Sequence, residues 1–390
     1  MRTRFIGAAA AVLVSLAVAQ SVTPALSSVE EDLRALLRSG PRVAGSPEAT
    51  EARAFLTREL RTAGYDVREE TFTYARSEDL GSSVQVAERR VDGNALQGSV
   101  SGEITAPVAR VEGVGTSEDF RRVNVRGRVA VVARGQIPFL EKARNASAAG
   151  AVGLVIVNNQ SGPLMGRLGD GVTIPVLGVS QEQGAALRDG ASVTLRVRVR
   201  SADVRGVNVV AFKSGARPSV LFGAHVDSVP GSPGANDNAS GTSAVLEAAR
   251  RAANTPVGAN AYFVLFDGEE DGLRGSRAFV QAREAELRDL KAMLNFDMVG
   301  VNVTPLSVGG TDALVRVARQ AAPELEFMRD PGSSDHTPFE AAGVPALFFH
   351  RGVDVNYHRP GDTTADPALI RAAAEAGLKV AAAVLQAESR

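Results

Sequence analysis

The chain has 390 residues, of which 44% are hydrophobic and 22% are charged, and this composition is typical of a folded protein rather than a disordered or collagen-like one. The formal net charge of -1, without a basic stripe of interleaved aromatic residues, argues against nucleic-acid binding. The chain has no cysteine, which excludes disulfides, thiolate metal sites, cysteine nucleophiles and a lipid anchor on cysteine.

The first residues have the pattern of an export signal. Two early arginines precede an apolar run from Phe5 to Leu16, and the small-x-small triplet AVA follows at 17–19. We expect a signal peptide over residues 1–19 whose removal leaves a secreted or periplasmic protein with no stable membrane insertion. An uncleaved membrane anchor is the alternative, although the apolar run is short for a membrane span.

Two helices and a strand are predicted next. Ser28 and Glu31 form a capping-box pattern ahead of leucines at helical spacing, which predicts a short first helix. A second helix is predicted from Ser46, as its N-cap, to Gly64, where it ends. The alternating segment YDVREETFTY, which begins at Tyr65, predicts a strand.

A β-rich region is predicted in the middle of the chain. Polar sequence over residues 77–100 leads into four valine-rich strands and one clear helix, FLEKARNASAAGA. The strand sequences are RGRVAVVARG, GAVGLVIVNN, VTIPVLGVS and ASVTLRVRV. We therefore predict a main domain in two parts, residues 28–90 and 201–390, that is interrupted by an inserted domain at residues 91–200.

Apolar strands alternate with helical segments in the second part of the main domain. The strand sequences are VNVVAFKSG, SVLFGAHVDS, AYFVLFDGEE, AMLNFDMVG and VPALFFHRG. The clearest helical sequences are SGTSAVLEAARRAAN and DPALIRAAAEAGLKVAAAVLQ. This alternation predicts a three-layer α/β/α fold.

Residues suited to metal binding or proton transfer gather where the predicted strands end. In open α/β sheets, ligands bind beyond the carboxyl ends of the strands. The residues in these loops, with one in the glycine-rich loop PGSPGANDNASG, are His225, Asp227, Asp237, Glu269, Glu270, Asp297, Tyr357 and His358. Each alone also fits a turn or a structural strand end. Together they favour one common site, because accidental convergence of all these loops is improbable.

A metal ion is the chemistry that accommodates the clustered carboxylates of FDGEEDGLRGS, which begins at Phe266. Zinc takes histidine nitrogen and carboxylate oxygen as ligands. Two ions about 3.5 to 4 Å apart can share one bridging carboxylate and activate a water. We therefore expect two Zn²⁺ ions, while Mn²⁺ or Co²⁺ would fit the same nitrogens and oxygens.

Six motifs in order resemble a known family. They are HVD, GANDNASG, GEEDGLRGS, NFDM, SDHTPF and YHRPGDT. Their order resembles the co-catalytic dizinc exopeptidases, which include secreted bacterial aminopeptidases and vacuolar aminopeptidase Y. The resemblance covers about residues 28–75 and 205–390, and it implies a zinc-exopeptidase domain with a mixed, mainly parallel sheet. The β-rich region between resembles the protease-associated domain that several family members carry at this position.

The resemblance assigns the metal ligands residue by residue. It implies that His225 and Asp297 hold one zinc ion and that Glu270 and His358 hold the other. Asp237 would bridge the two ions. The family also often has a cis peptide bond after the bridging aspartate, which in this chain is Asp237.

The resemblance also implies three residues that act around the ions. Glu269 would be the general base that takes a proton from the attacking water and returns it to the leaving amine. Tyr357 would donate a hydrogen bond to the oxyanion of the tetrahedral intermediate. Asp227 would accept a hydrogen bond that fixes the imidazole of His225.

These assignments predict an exported aminopeptidase that acts on peptides with a free N-terminus. A related enzyme that removes acidic residues from the C-terminus is one alternative, although it would need a basic specificity pocket that the sequence does not reveal. A noncatalytic, receptor-like binding protein is the other alternative. Such relatives usually lose metal ligands, whereas this chain has a residue for each of them.

Other residues of the motifs receive more modest predictions. Asp335 and His336 match the family motif near the substrate pocket, but Ser333 stands where some aminopeptidases have an arginine that positions the substrate. We expect His350 to be a structural residue at a strand end, and we expect Asp267 and Asp271 to complete local turns rather than bind metal.

Overall fold

The structure is a computed structural model that describes residues 27–159, 162–169, 171–215 and 217–387. The predicted signal peptide lies outside these residues. Within the described ranges, no helix combines the length and the apolar character that a membrane span requires.

The helices follow the capping patterns of the sequence. The first begins after Ser28, whose side chain and that of Glu31 form the predicted capping box. The α-helices of the described ranges are α1 (Val29–Leu37), α2 (Pro47–Thr62), α3 (Ser117–Arg121), α4 (Phe139–Ala148), α5 (Gln181–Gly184), α6 (Gly241–Ala252), α7 (Pro256–Ala259), α8 (Arg274–Ala282), α9 (Asp312–Ala321), α10 (Thr337–Ala341) and α11 (Pro367–Ala387).

The strands include every valine-rich or apolar segment predicted above. They are β1 (Asp66–Asp79), β2 (Ser83–Val86), β3 (Arg89–Asp92), β4 (Asn94–Ala95), β5 (Gly102–Arg110), β6 (Val129–Ala133), β7 (Gly153–Val157), β8 (Val176–Val179), β9 (Ser192–Val197), β10 (Val199–Phe212), β11 (Val220–His225), β12 (Ala261–Phe266), β13 (Ala292–Phe296), β14 (Ser307–Gly310), β15 (Glu326–Phe327) and β16 (Ala346–His350).

The first sheet forms the middle layer of the main domain. Its strand order is β1-β10-β12-β11-β13-β16-β14-β15, and β12, β11, β13 and β16 are parallel neighbours. One face packs on α1, α2, α6, α9 and α11 around Phe222 and Phe263, and the other packs on α8 and α10 around Phe266. Burial of each phenylalanine contributes about 1.5–3 kcal/mol. The predicted three-layer α/β/α fold with a mixed, mainly parallel sheet is confirmed.

The second sheet belongs to the region predicted as an insert. Its strand order is β3-β2-β9-β5-β6-β7-β8-β4, with one apolar cluster on each face. It starts at Ser83, and the domain boundary predicted at residue 91 falls inside β3. The sequence did not reveal β2 to β4, because these short strands alternate polar residues and turns and bury few side chains.

A long antiparallel ribbon joins the two sheets. β1 pairs with β10 along their whole length, from Asp66 opposite Phe212 to Asp79 opposite Val199. The backbone N–H of Leu80 continues this pairing, because it donates to the carbonyl of Arg198 next to the second sheet. The chain therefore enters and leaves the second sheet through neighbouring strands.

The parallel strands of the first sheet place their carboxyl ends at one edge. β11 ends at His225, β12 at Phe266, β13 at Phe296 and β16 at His350. The loops that leave this edge carry the candidate residues, because parallel strands point their carboxyl ends in the same direction.

Candidate metal centre

The five predicted metal ligands converge at this edge of the sheet. Asp237 Oδ1 lies 3.3 Å from His225 Nε2, and Asp237 Oδ2 lies 3.1 Å from His358 Nε2. On the His225 side of Asp237, Asp297 Oδ1 is 3.5 Å from His225 Nε2. On the His358 side, Glu270 Oε2 is 3.0 Å from His358 Nε2. The Asp237 carboxylate therefore faces two groups of potential ligands, one with each oxygen.

The donor atoms fit a divalent cation. Four buried atoms among them lack a hydrogen-bond partner in the described part of the chain: His225 Nε2, Glu270 Oε1, Asp297 Oδ1 and His358 Nε2. A buried polar atom left without a partner costs about 1–3 kcal/mol, and a bound cation would offset this cost. Tetrahedral zinc with bonds of about 2.0–2.2 Å separates neighbouring ligand atoms by roughly 3.3–3.6 Å. The distances around Asp237 are close to this separation.

The electrostatics of the metal-free centre also favour a cation. Burial and then the charge of Asp237 raise the pKa of Glu270 to about 7. Burial lowers the pKa of His358, but the close approach of the Asp237 and Glu270 carboxylates outweighs it and raises this pKa to about 10. The pKa of His225 is also raised, because the charge of Asp297 acts against burial. His358 therefore holds an extra proton near neutral pH, which a bound metal ion would displace.

The peptide segment around Asp237 has an unusual backbone. Residues Ala235–Ser240 form a kinked turn ahead of α6, in which the backbone angles of Asp237 (φ -109°, ψ 88°) and Asn238 (φ -138°, ψ 43°) are not helical. The peptide bond between Asp237 and Asn238 is cis, as the resemblance implies. The Asn238 side chain donates to the Phe296 carbonyl at 2.9 Å and accepts from the Gly241 N–H at 2.8 Å. These bonds connect the turn to the end of β13, where Asp297 follows.

Asp227 holds the loop that carries the two adjacent glutamates. Its carboxylate accepts the backbone N–H groups of Glu269 and Glu270, each at 3.1 Å. His225 Nδ1 lies 3.1 Å from the backbone carbonyl oxygen of Asp227 but 3.7 Å from its carboxylate. Since 3.7 Å exceeds hydrogen-bonding distance, the carbonyl oxygen orients the imidazole in this structure and the carboxylate orients the glutamate loop.

A cavity of about 200 Å³ opens beside the ligands. Its wall includes the carboxylates of Asp237, Glu269, Glu270 and Asp297 and the less polar residues Met298, Pro331, Phe348, Val353 and Tyr357. Burial raises the pKa of Glu269 well above its ordinary value, and the charge of Glu270 adds to this effect while that of His225 opposes it. A carboxylate with a raised pKa is a stronger base.

Tyr357 lies at the mouth of this cavity. Its ring stacks on His358 with 3.8 Å between ring centroids, and 39% of the residue is exposed. Burial raises the pKa of its phenol, and the charge of Asp237 raises it further. The hydroxyl therefore keeps its proton at neutral pH and can donate a hydrogen bond.

Two residues that support the ligands were not predicted from the sequence. Asp362 accepts the backbone N–H groups of Asn236, at 2.8 Å, and Asp237, at 3.0 Å. Ser334 donates its hydroxyl to Asp297 Oδ2 at 2.8 Å. Both residues lie within motifs of the resemblance, YHRPGDT and SDHTPF, and that position is the signal that could have identified them.

A buried arginine behind the centre was also missed. Arg42 is 1% exposed, and its guanidinium donates to the carbonyls of Val226, Pro233 and Gly234 at 2.7–2.9 Å. Burial lowers its pKa to about 10, which leaves it charged at neutral pH. It therefore ties the end of β11 to the turn of Asp237. No local sequence pattern indicates this contact.

The remaining motif residues have varied surroundings. Asp335 is buried, and burial raises its pKa to about 7. Burial lowers the pKa of His336 to about 4, and its ring stacks on Phe348. His350 Nδ1 lies 2.8 Å from the carbonyl oxygen of Asp297, and the residue also lines the cavity. Asp271 lies within a turn, as expected, and its carboxylate also makes tertiary contacts with distant residues.

Comparison with known proteins agrees with this geometry. The family model described as peptidase family M28 matches residues 208–381, and the PA domain model matches residues 100–187. Aminopeptidase YwaD of Bacillus subtilis is 33% identical, over 88% of this chain and 85% of its own. The probable lipoprotein aminopeptidase LpqL of Mycobacterium tuberculosis is 31% identical, over 81% of this chain and 71% of its own.

Solved structures show the same architecture. The zinc aminopeptidase BSAP from Bacillus subtilis is 30% identical with a TM-score of 0.77, over 93% of this chain and 96% of its own. An aminopeptidase from Aneurinibacillus sp. strain AM-1 is 28% identical with a TM-score of 0.77, over 93% and 94% of the two chains. The similarity spans both sheets and the loops of the candidate centre. This chain therefore belongs to peptidase family M28 and contains a PA domain.

Proposed function

We propose that this protein is an exported aminopeptidase that uses two zinc ions to release N-terminal residues from peptides. The observation that carries the proposal is the Asp237 carboxylate, which faces His225 and Asp297 with one oxygen and His358 and Glu270 with the other. A bridging carboxylate between two such groups is the arrangement of a dinuclear centre. The relatives named as aminopeptidases, one of them a zinc enzyme, support the same activity.

The side chains around the cavity can carry out peptide hydrolysis. Zinc ions bound at the centre would polarise the scissile carbonyl and acidify the attacking water. Glu269 takes one proton from that water as its oxygen bonds to the carbonyl carbon. As the carbon–nitrogen bond breaks, Glu269 passes this proton to the leaving amine. Tyr357 donates its hydroxyl to the developing oxyanion, which stabilises the transition state more than the substrate.

The lining of the cavity favours an amino-terminal over a carboxy-terminal substrate. The carboxylates that line it are proposed metal ligands or the base, so two bound zinc ions would balance their charge. The described residues that line the cavity include no lysine or arginine that could bind a C-terminal carboxylate. A noncatalytic role fits less well, because the chain has a residue of a suitable type for each proposed ligand, for the base and for the oxyanion donor.

We propose export because residues 1–19 have the sequence pattern of a signal peptide. The similarity to LpqL, which is described as a probable lipoprotein, supports an exported location. This chain has no cysteine for a lipid anchor, so we propose that cleavage releases it into the periplasm or the medium. N-terminal sequencing of the mature protein from each cell fraction tests this point.

Metal analysis combined with a peptide panel tests the activity. Purified protein should contain two equivalents of zinc per chain, and Asp237→Ala should lose both. Unblocked dipeptides and peptides with an amidated C-terminus should be hydrolysed, whereas peptides with an acetylated N-terminus should resist. Cleavage of the acetylated peptides alone would identify a carboxypeptidase. Absence of hydrolysis in zinc-loaded protein would identify a binding protein.

A further inference from the structure

Asp271 connects the catalytic loop to a distant part of the chain. It is 7% exposed and lies two residues after Glu269. One carboxylate oxygen accepts hydrogen bonds from the Tyr74 hydroxyl and from Arg76, both on β1. The other oxygen accepts from the side-chain amide of Gln97 at 3.3 Å. Gln97 lies between β4 and β5 of the second sheet, so this bond reaches the catalytic loop from outside the main sheet.

Arg167, which lies within the PA domain, contacts the side chain of Gln97. Its guanidinium donates to Gln97 Oε1 at 3.2 Å and lies directly against Gly272, where an added Cβ would overlap it. The backbones of the two residues are also joined. Gln97 donates its N–H to Gly166 at 2.9 Å and accepts the N–H of Leu168 at 2.8 Å. The pair therefore forms one unit, in which Arg167 fixes the amide orientation that Gln97 presents to Asp271.

The loop that they contact needs support from outside. Gly268, Gly272 and Leu273 all have φ values in the left-handed region, from 60° to 103°. The carbonyl of Glu269 accepts the N–H groups of Gly272 and Leu273, so the loop is a tight turn outside any sheet ladder. Asp227 holds the beginning of this turn through the backbone of Glu269. Asp271 holds its end, through residues outside the turn.

We propose that Gln97 and Arg167 are positioning residues that fix the base Glu269 through Asp271. The region of the second sheet would then act on the rate of the chemical step. Both residues lie outside the substrate cavity, and they act only through the turn. This inference rests on the proposed function, because Gln97 and Arg167 have this role only if Glu269 is the base.

Exchanging the side-chain amide at position 97 with the carboxylate at position 271 tests the proposal. Gln97→Glu places a carboxylate against that of Asp271, and Asp271→Asn removes the charged acceptor. Each single variant should lower kcat about tenfold with KM changed less than about threefold, because small displacements of a catalytic group reduce the rate strongly. In the double variant, the carboxylate at position 97 accepts from Arg167 and from the new amide. Its kcat should recover to within about threefold of the parent.

Two further measurements separate positioning from general damage. Amide hydrogen exchange of residues 268–273 in metal-stripped protein should be about tenfold faster in each single variant and should return to the parent rate in the double. Zinc content should stay at the parent value throughout. Gln85→Glu is the matched control, because this glutamine is exposed and its side-chain amide donates to the nearby Ala87 carbonyl, within the second sheet. Gln97→Met replaces Gln97→Glu if the latter does not fold, and it should also lower kcat.

The outcomes distinguish this inference from the proposed function. If zinc-loaded parent protein hydrolyses no peptide, the proposed function itself fails. If the parent is active and Glu269→Gln is inactive, but Gln97→Glu and Gln97→Met keep full kcat, only the positioning role is overturned. A double variant whose loss equals the product of the two single losses overturns it as well.

Discussion

Asp362 accepts the backbone N–H of Asp237 at 3.0 Å, although 125 residues separate them in the sequence. Its other oxygen accepts the N–H of Asn236, so one buried carboxylate fixes the turn that aims the bridging side chain. The ligand is therefore oriented through its backbone. A residue that orients a ligand in this way affects metal affinity without contacting the metal.

We expect Asp362→Ala to weaken zinc binding about 10- to 100-fold, because the two N–H groups lose their acceptor and the Asp237 carboxylate loses its alignment. Competition with a chromogenic chelator measures this affinity. Asp92→Ala, a change at an exposed aspartate of the second sheet, serves as the control and should bind zinc like the parent. Parent-like affinity in Asp362→Ala would show that the turn is held by other contacts.

Glu269→Gln should keep both zinc ions and lose activity about 10²- to 10⁴-fold, the range for removal of a general base. The glutamine side chain has the shape of the glutamate side chain, and the backbone N–H of residue 269 can still donate to Asp227. The measurement is kcat on an unblocked dipeptide, with metal content determined on the same sample. Glu103→Gln, at an exposed site, is the matched control. Undiminished turnover would remove Glu269 as the base.

The sequence predicted those parts of the centre that lie at strand ends. His225, Glu269 and Asp297 could be identified because apolar runs locate the strands, and the α/β pattern places the strand ends at one edge. The partners of these residues could not be found in the same way. Arg42 reaches carbonyls that are 184 to 192 residues away, and carbonyls carry no sequence signal. Asp271 was predicted only as a turn residue, because the donors to its carboxylate come from β1 and from Gln97, which are distant in the sequence.

Arg42→Met should reduce the free energy of unfolding by about 2 kcal/mol or more, because the buried carbonyls of Val226 and Gly234 and the partly buried carbonyl of Pro233 lose their donor, and each buried one costs about 1–3 kcal/mol. Urea unfolding of zinc-loaded protein, with an unchanged m-value, gives this difference. Arg196→Met removes an exposed ion pair of the second sheet and should leave the unfolding midpoint unchanged. Equal midpoints for the two variants would contradict the structural role of Arg42.

The stabilisation by zinc should increase with pH. In the metal-free protein the pKa of His358 is raised from 6.5 to about 10, and that of Glu270 from 4.5 to about 7. A group whose folded-state pKa is raised contributes stability that is complete below the unfolded-state pKa and is lost as pH rises through the folded-state value. Both groups therefore make metal-free protein less stable as pH rises from about 4.5 to about 10.

Bound zinc removes this pH-dependent loss of stability, because it takes the place of the proton on His358 and neutralises Glu270. We expect the Tm of chelator-treated protein to fall between pH 6 and pH 9, while the Tm of zinc-loaded protein changes less. The difference between the two Tm values should therefore widen with pH. His358→Gln should make the metal-free Tm less dependent on pH over this range. A difference that stays constant from pH 6 to pH 9 would show that these two groups do not exchange protons for zinc.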